Sequence, residues 1–163
     1  NLCRQVVRGL FCLLLFLQFT SCLYLRMVYV WGDEHMPYLT AQLEEGPLKG
    51  IHTSQENEIL YQNVLDDMND LQLTKDDRLF VVGIAPWMYL NTDAECAAYS
   101  TWMTQETDPL IPLYYKLHPE KLPTVIYCYE YDESILDTEF AQSFLEKGYV
   151  VENMRRGIVL TNR

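Results

Sequence analysis

The chain opens on an unbroken apolar run. Between Gly9 and Leu25 there is no charged residue, and the only clearly polar side chains are Gln18, Thr20 and Ser21. Admitting Arg26 extends the run to Trp31, about 23 residues or roughly 34 Å of helix, against a hydrocarbon core of about 30 Å. Arg4 and Arg8 flank the start, and Asp33 and Glu34 follow the finish. Tyr24, Tyr29 and Trp31 gather at the far end, where membrane-interface aromatics sit and where Arg26 can snorkel. These features fit a transmembrane helix. Two other readings stay open. "FTSC" at Phe19–Cys22 reads as a degenerate lipoprotein cleavage box, which makes the run a signal peptide, although "LYLRMVYVW" continues apolar beyond it. A buried core helix is the third, and the length and all-round apolarity of the run count against it.

After Trp31 the pattern changes. Gly32, Pro37, Gly46, Pro47 and Gly50 punctuate residues 32–53, which read as a connector with at most one short strand around Leu48–His52. Thr53-Ser54-Gln55-Glu56 is a capping box that opens a helix. Leu60, Val64, Met68 and Leu71 form its apolar stripe, widened by Ile59 and Leu65, and it ends near Leu71. "RLFVVG" (Arg78–Gly83) and "TVIYCYE" (Thr124–Glu130) are short, β-rich, nearly all-apolar runs, as expected of strands buried on both faces.

Thr92 to Glu95 has the form of a second capping box and predicts a short helix over Asp93–Tyr99. Asp108-Pro109 predicts an N-cap with proline at the first helical position, the helix passing Tyr114 and Tyr115 and stopping before His118-Pro119. A further helix starts at Asp137 or Thr138, carries Phe140, Phe144 and Leu145, and is closed by Gly148. "YVVEN" and "GIVLT" then form a terminal hairpin turning at Met154–Arg156. The fold class expected is α/β, a small mostly parallel sheet with flanking helices and a C-terminal β-hairpin, preceded by one transmembrane helix. The expected domains are residues 1–31 (membrane helix with a short cytoplasmic flank), 32–53 (connector) and 54–163 (extracytoplasmic α/β domain).

Charge sharpens this division. Of 163 residues, 49% are hydrophobic, enough for a sizeable core. Residues 1–31 hold three arginines and no acid, so the remainder sets nine bases against 23 acids, a net charge of −14. The positive-inside rule then places the start in the cytoplasm and the acidic part outside. Such a charge repels phosphate backbones, so nucleic acid is excluded as a partner. The chain starts at Asn1 rather than Met, which suggests a fragment or a processed product.

Candidate chemistry is sparse. His35, His52 and His118 are far apart, with no His-x-x-x-His and no Cys-x-x-Cys pair, so no metal site is expected. No glycine-rich phosphate loop exists, and no cofactor is expected. Cys3, Cys12 and Cys22 belong to the apolar run. Cys96 and Cys128 are two small apolar residues, a disulfide outside the cell, or a nucleophile if either meets His52 or His118. The pairs Glu44-Glu45, Asp66-Asp67, Asp76-Asp77 and Asp132-Glu133 read as solvated acidic surface. The most suggestive stretch follows the first buried strand: Trp87, Tyr89, Asn91, Asp93, then Tyr99 and Trp102. Ligands collect beyond the C-terminal ends of strands in open α/β sheets. Aromatic faces beside hydroxyls and amides suit sugars or a polyprenyl-phosphate headgroup. The alternative is that Trp87 and Tyr89 simply cover the sheet.

The order of "GPLKGIHT", "PWMYLNT", "YSTW", "YYKLHPEKLPTVIY" and "GYVVENMRRGIVL" after a single apolar span resembles the extracytoplasmic C-terminal domain of large bacterial multi-spanning membrane proteins, a group described as glycosyltransferases using lipid-linked sugars. The resemblance covers about Trp31 to Arg163. It implies the cell envelope, a bacterial plasma membrane with this domain on its outer side, and the remaining spans of a parent protein as partners. It also implies a polyprenyl-phosphate sugar or a glycan acceptor as partner, besides the lipid bilayer. In such proteins the catalytic carboxylate lies on an outer loop near the first spans, so no catalytic residue carries over and the domain is accessory. The competing expectations are a single-span binding or interaction module without activity, and a small tethered hydrolase using Cys96, Cys128 or a carboxylate pair.

Overall fold

A computed structural model describes residues 2–30, 32–102 and 104–163. Trp31, which the sequence groups with the interface aromatics, lies outside them. The chain divides into two compact units, residues 1–44 with 50–58, and residues 45–49 with 59–163.

In the first unit, helix α1 runs over Leu2–Val28. Its stretch Arg4–Val28 is long and apolar enough to cross a membrane, and none of it is buried within the protein. Two of its polar side chains bond locally, as an apolar medium favours. The Thr20 hydroxyl donates to the Phe16 carbonyl at 2.9 Å, and the Gln18 amide to the Cys22 sulfur at 3.3 Å. Strands β1 (Ala41–Gln42) and β2 (His52–Thr53) pair antiparallel, so the short strand expected at Leu48–His52 begins only at its last residue.

Helix α2 (Gln55–Asp70) begins one residue later than the expected box. Ser54 Oγ accepts from the Asn57 N–H, while the Thr53 hydroxyl is diverted to Asp33. Asp33 also accepts from the backbone N–H groups of Glu34 and Ser54. Burial alone would raise its carboxyl, but the bonds from Thr53, Ser54, Glu34 and Asn57 outweigh that and hold it at about 2 against an ordinary 3.8.

The second unit is built on a five-stranded sheet, ordered β4-β3-β5-β7-β6. Its strands are β3 (Arg78–Val82), β4 (Glu95–Cys96), β5 (Val125–Tyr129), β6 (Val150–Asn153) and β7 (Gly157–Thr161). The sheet is mixed rather than mostly parallel: β3 pairs parallel with β4 and β5, whereas β7 pairs antiparallel with β5 and β6. The terminal hairpin supplies two of five strands, and its inner strand packs directly on the centre of the sheet.

The helix expected over Asp93–Tyr99 does not form. Edge pairing wins instead: Glu95 N–H donates to the Asp77 carbonyl and Ala97 N–H to that of Leu79. Thr92 Oγ1 accepts from Ala94, two residues on, which closes a turn instead of capping a helix.

Alternation sorts the strands onto two faces. Leu79, Val81, Val125, Tyr127 and Val159 meet Val64 and Met68 of α2, together with Met88 of a 3-10 helix at Pro86–Asn91. Phe80, Val82, Ile126, Cys128, Ile158 and Leu160 face helices α3 (Leu110–Leu117) and α4 (Glu139–Leu145). Asp108 accepts from the Leu110 N–H at 2.9 Å, but α3 starts one residue later than expected, with Pro109 in the capping place. Thr138 caps α4, and Gly148, at φ +89°, takes the left-handed place after it.

Two acids expected at the surface are buried. Asp67 of α2 is fully enclosed. Its carboxylate accepts from the Tyr127 hydroxyl at 2.6 Å, from Arg155 N–H and Arg155 Nη1 at 3.0 Å, and from Arg156 N–H at 3.0 Å. It thereby fixes the β6–β7 turn. Burial and this bond push the Tyr127 phenol well above its ordinary range. Asp77 accepts from the Thr74 N–H and hydroxyl and from the Thr124 hydroxyl, and pairs with Arg163 at 3.2 Å. Burial opposes its ionisation, but these donors prevail and hold it below the ordinary carboxylate range.

Asp67→Ala leaves the Tyr127 hydroxyl and two turn amides without their acceptor, while the half-exposed Arg155 keeps Asp70. It should cost about 1–3 kcal/mol, read as a lowered denaturant midpoint, and a cost within about 0.5 kcal/mol would mean that the turn holds itself. Asp33 binds a proton more weakly folded than unfolded. The stability that it contributes is therefore complete above pH 3.8 and lost as pH falls towards 2. Hydrogen exchange at the start of α2 should accelerate across that window, and Asp33→Asn should flatten the dependence.

Candidate functional site

The largest apolar recess of the second unit is a groove of about 1000 Å³ between α3 and α4. Its floor is Ile111 and Tyr115 from α3, Leu122, and Phe140 and Phe144 from α4. These side chains line it because each helix turns one apolar stripe to the sheet and leaves the stripe's margin free. Tyr115 is fixed from below, its hydroxyl donating to the Ala97 carbonyl at 3.3 Å, and burial drives its phenol well above its ordinary range. Phe140 and Phe144 meet edge to face at 5.1 Å.

The mouth of the groove is polar. Lys116 and Lys147 stand on it, with Lys147 Nζ 5.1 Å from the centre of the Phe144 ring. Three acids line it as well. Two of them are occupied: Glu106 accepts from the Tyr131 hydroxyl, and Asp108 accepts from Tyr99 and from the Leu110 N–H. The third, Glu139, lies in the first turn of α4, where a negative charge is favoured. The bond to Asp108, with a little burial, pushes the Tyr99 phenol up to about 12.

A separate surface, lined by Glu130, Arg156 and Gly157, lies at the C-terminal ends of the parallel strands. There Gly83 N–H donates to the Thr104 carbonyl at 2.7 Å, and Glu130 sits at φ +60° with its carboxylate 2.9 Å from Arg156. Gly157 is required beside them, because a Cβ there would stand 2.1 Å from the Cys128 carbonyl oxygen.

The residues singled out from sequence do not converge. Trp87 packs on the α2 side of the sheet, its ring 4.7 Å from that of Tyr61, and Tyr89 accepts from the Val81 N–H at 2.9 Å on that same side. Asn91 and Asp93 line a small polar pocket with Asn69 and Gln72. Tyr99 belongs to the opposite face, its ring 5.9 Å from Tyr114 of α3, and Trp102 in the same loop is 63% exposed. Sequence reasoning missed the groove. Its only advance signal was the aromatic spacing of Tyr115, Phe140 and Phe144, which reads equally well as core.

The geometry also limits the chemistry. Cys96 and Cys128 are both free thiols on strands with β3 between them, so no disulfide joins them. Burial, then the charge of Glu106, pushes the Cys128 thiol up to about 12, far from a reactive thiolate. Among the described residues, no three of His, Cys, Asp and Glu gather as a metal-ligand set. The Ser143 hydroxyl in the groove donates to the Phe140 carbonyl rather than to a base. The arrangement is that of a groove with an apolar floor and a lip of two lysines and three acids.

Trp87→Ala should lower stability by roughly 2–3 kcal/mol through lost packing, whereas Trp102→Ala should leave the melting temperature unchanged and affect only binding. A large thermal shift for Trp102→Ala would place that ring in the core. Comparison with protein-family models, curated proteins and solved structures finds no match to this chain, so its reading rests on the groove and the apolar helix.

Proposed function

We propose that this chain is the C-terminal part of a bacterial multi-spanning membrane protein that transfers sugar from a lipid carrier. In this reading α1 is one of its spans, the acidic α/β unit lies on the outer side of the plasma membrane, and that unit is accessory rather than catalytic. Its task is to hold the isoprenoid part of a polyprenyl-phosphate sugar, or a glycan acceptor, beside a reaction carried out elsewhere in the parent protein.

The observation that carries the reading is α1. A helix of this length whose apolar side chains are unburied among the described residues suits lipid or neighbouring membrane helices around it, which favours a span over a buried core helix. The arginines at its start and the acids after it favour an outer location for the rest. The α3–α4 groove supports the accessory role. It offers apolar area for a chain and two cations for a phosphate. The Cys128 thiol is buried and suppressed and Ser143 in the groove is engaged, which disfavours a tethered hydrolase.

The test is binding of a short polyprenyl phosphate to the full chain in nanodiscs of phosphatidylcholine. Saturable binding is expected, weakened about tenfold by Lys116→Glu with Lys147→Glu at unchanged melting temperature. Uptake no greater than that of empty nanodiscs overturns the reading.

A further inference from the structure

Helix α3 buries Ile111 and Tyr115 and leaves Leu110, Leu113 and Leu117 exposed by 51%, 50% and 66%. Their spacing of three and four residues puts the three on one side of the helix. The ring of Tyr99 lies against Tyr114 of α3, and the exposed indole of Trp102 follows in the same loop. The three leucines thus form an exposed apolar stripe on an otherwise acidic unit.

From this we infer that the Leu110–Leu113–Leu117 stripe of α3 rests on the bilayer surface, as an interfacial helix lying along the membrane. The inference depends on α1 being membrane-embedded. Charge favours lipid as the occupant. Helix α3 carries no acid, and its one charged residue, Lys116, has no carboxylate partner among the described residues, which leaves it free for headgroup phosphates. Size disfavours a second copy. Eight residues of helix span about 12 Å, too little for the roughly 1,200–2,000 Å² that a stable protein interface buries. Leucine, tryptophan and tyrosine with a lysine at the margin are what the interface between headgroups and acyl chains accommodates. Because the inner side of α3 lines the α3–α4 groove, this contact brings the mouth of that groove to the level at which a lipid phosphate is found.

The test places a reporter in the stripe. The full chain is reconstituted in phosphatidylcholine vesicles with brominated acyl chains, which quench indoles that reach them. One variant carries Leu113→Trp with Trp31→Phe, Trp87→Phe and Trp102→Phe. A control keeps only Trp87, whose ring packs against Tyr61. The reporter at position 113 should lose at least about half its emission, and the control less than about a tenth. Adding Leu110→Gln and Leu117→Gln to the reporter should restore its emission without moving the melting temperature. Retention of the chain after an alkaline carbonate wash is measured in parallel. A retained chain with an unquenched reporter overturns the bilayer contact and leaves the anchoring by α1 intact. A chain that washes off overturns both.

Discussion

A single buried carboxylate holds the second unit together. Asp67 sits in α2, yet everything that it binds belongs to the sheet: the Tyr127 hydroxyl in the central strand and the turn of the last hairpin. Taking a charge out of water is costly unless every lone pair is used. Here four donors converge on two oxygens, and Asp70 shares the guanidinium of Arg155. The helix, the central strand and the terminal hairpin are thus locked by one group at fixed register. On the far side of the sheet no comparable polar tie is needed. Aromatic packing among Phe80, Tyr115, Phe140, Phe144 and Tyr149 fills that layer.

This division of labour explains why the groove lies where it does. The α2 face is closed by a long helix and by the 3-10 turn that carries Met88. The α3–α4 face is covered by two helices of eight and seven residues, too short to seal it. The recess between them is therefore a product of the fold, floored by the margins of the core. Its polar lip is composite: Glu106 and Asp108 come from the loop before α3, Lys116 from α3 itself, Glu139 from α4 and Lys147 from the turn after it.

Much of this architecture was legible in the residues. The apolar run, the long helix with Val64, Leu65 and Met68 of its stripe, both buried strands, the Thr138 and Gly148 boundaries and the hairpin at Met154–Arg156 all followed from periodicity and turn chemistry, whereas Ile59, expected in that stripe, is 62% exposed. The errors are equally instructive. Thr92 to Glu95 has capping-box spacing, but local propensity over four residues is weak beside a backbone edge offering the carbonyls of Asp77 and Leu79. Asp67 and Asp77 each follow another aspartate, and a pair of acids reads as solvated. Only the fold shows that the second of each pair turns inward to donors up to 89 positions away. The mixed sheet was hidden for a similar reason, because neighbourhood in sequence does not say which strand the hairpin joins. The groove was illegible because a residue lining a recess and a residue filling a core are written with the same letters.

The tie at Asp67 also governs when the fold can exist. Its turn partners lie 88 and 89 residues further along the chain, and closing so long a loop is entropically slow. Synthesis is vectorial. For most of it Asp67 is an ordinary hydrated acid on a nascent helix, and β5 presents an open edge where β7 will lie. Completion is deferred until Arg155 and Arg156 have emerged. A chain that settles only at its end stays pliable while it is being made.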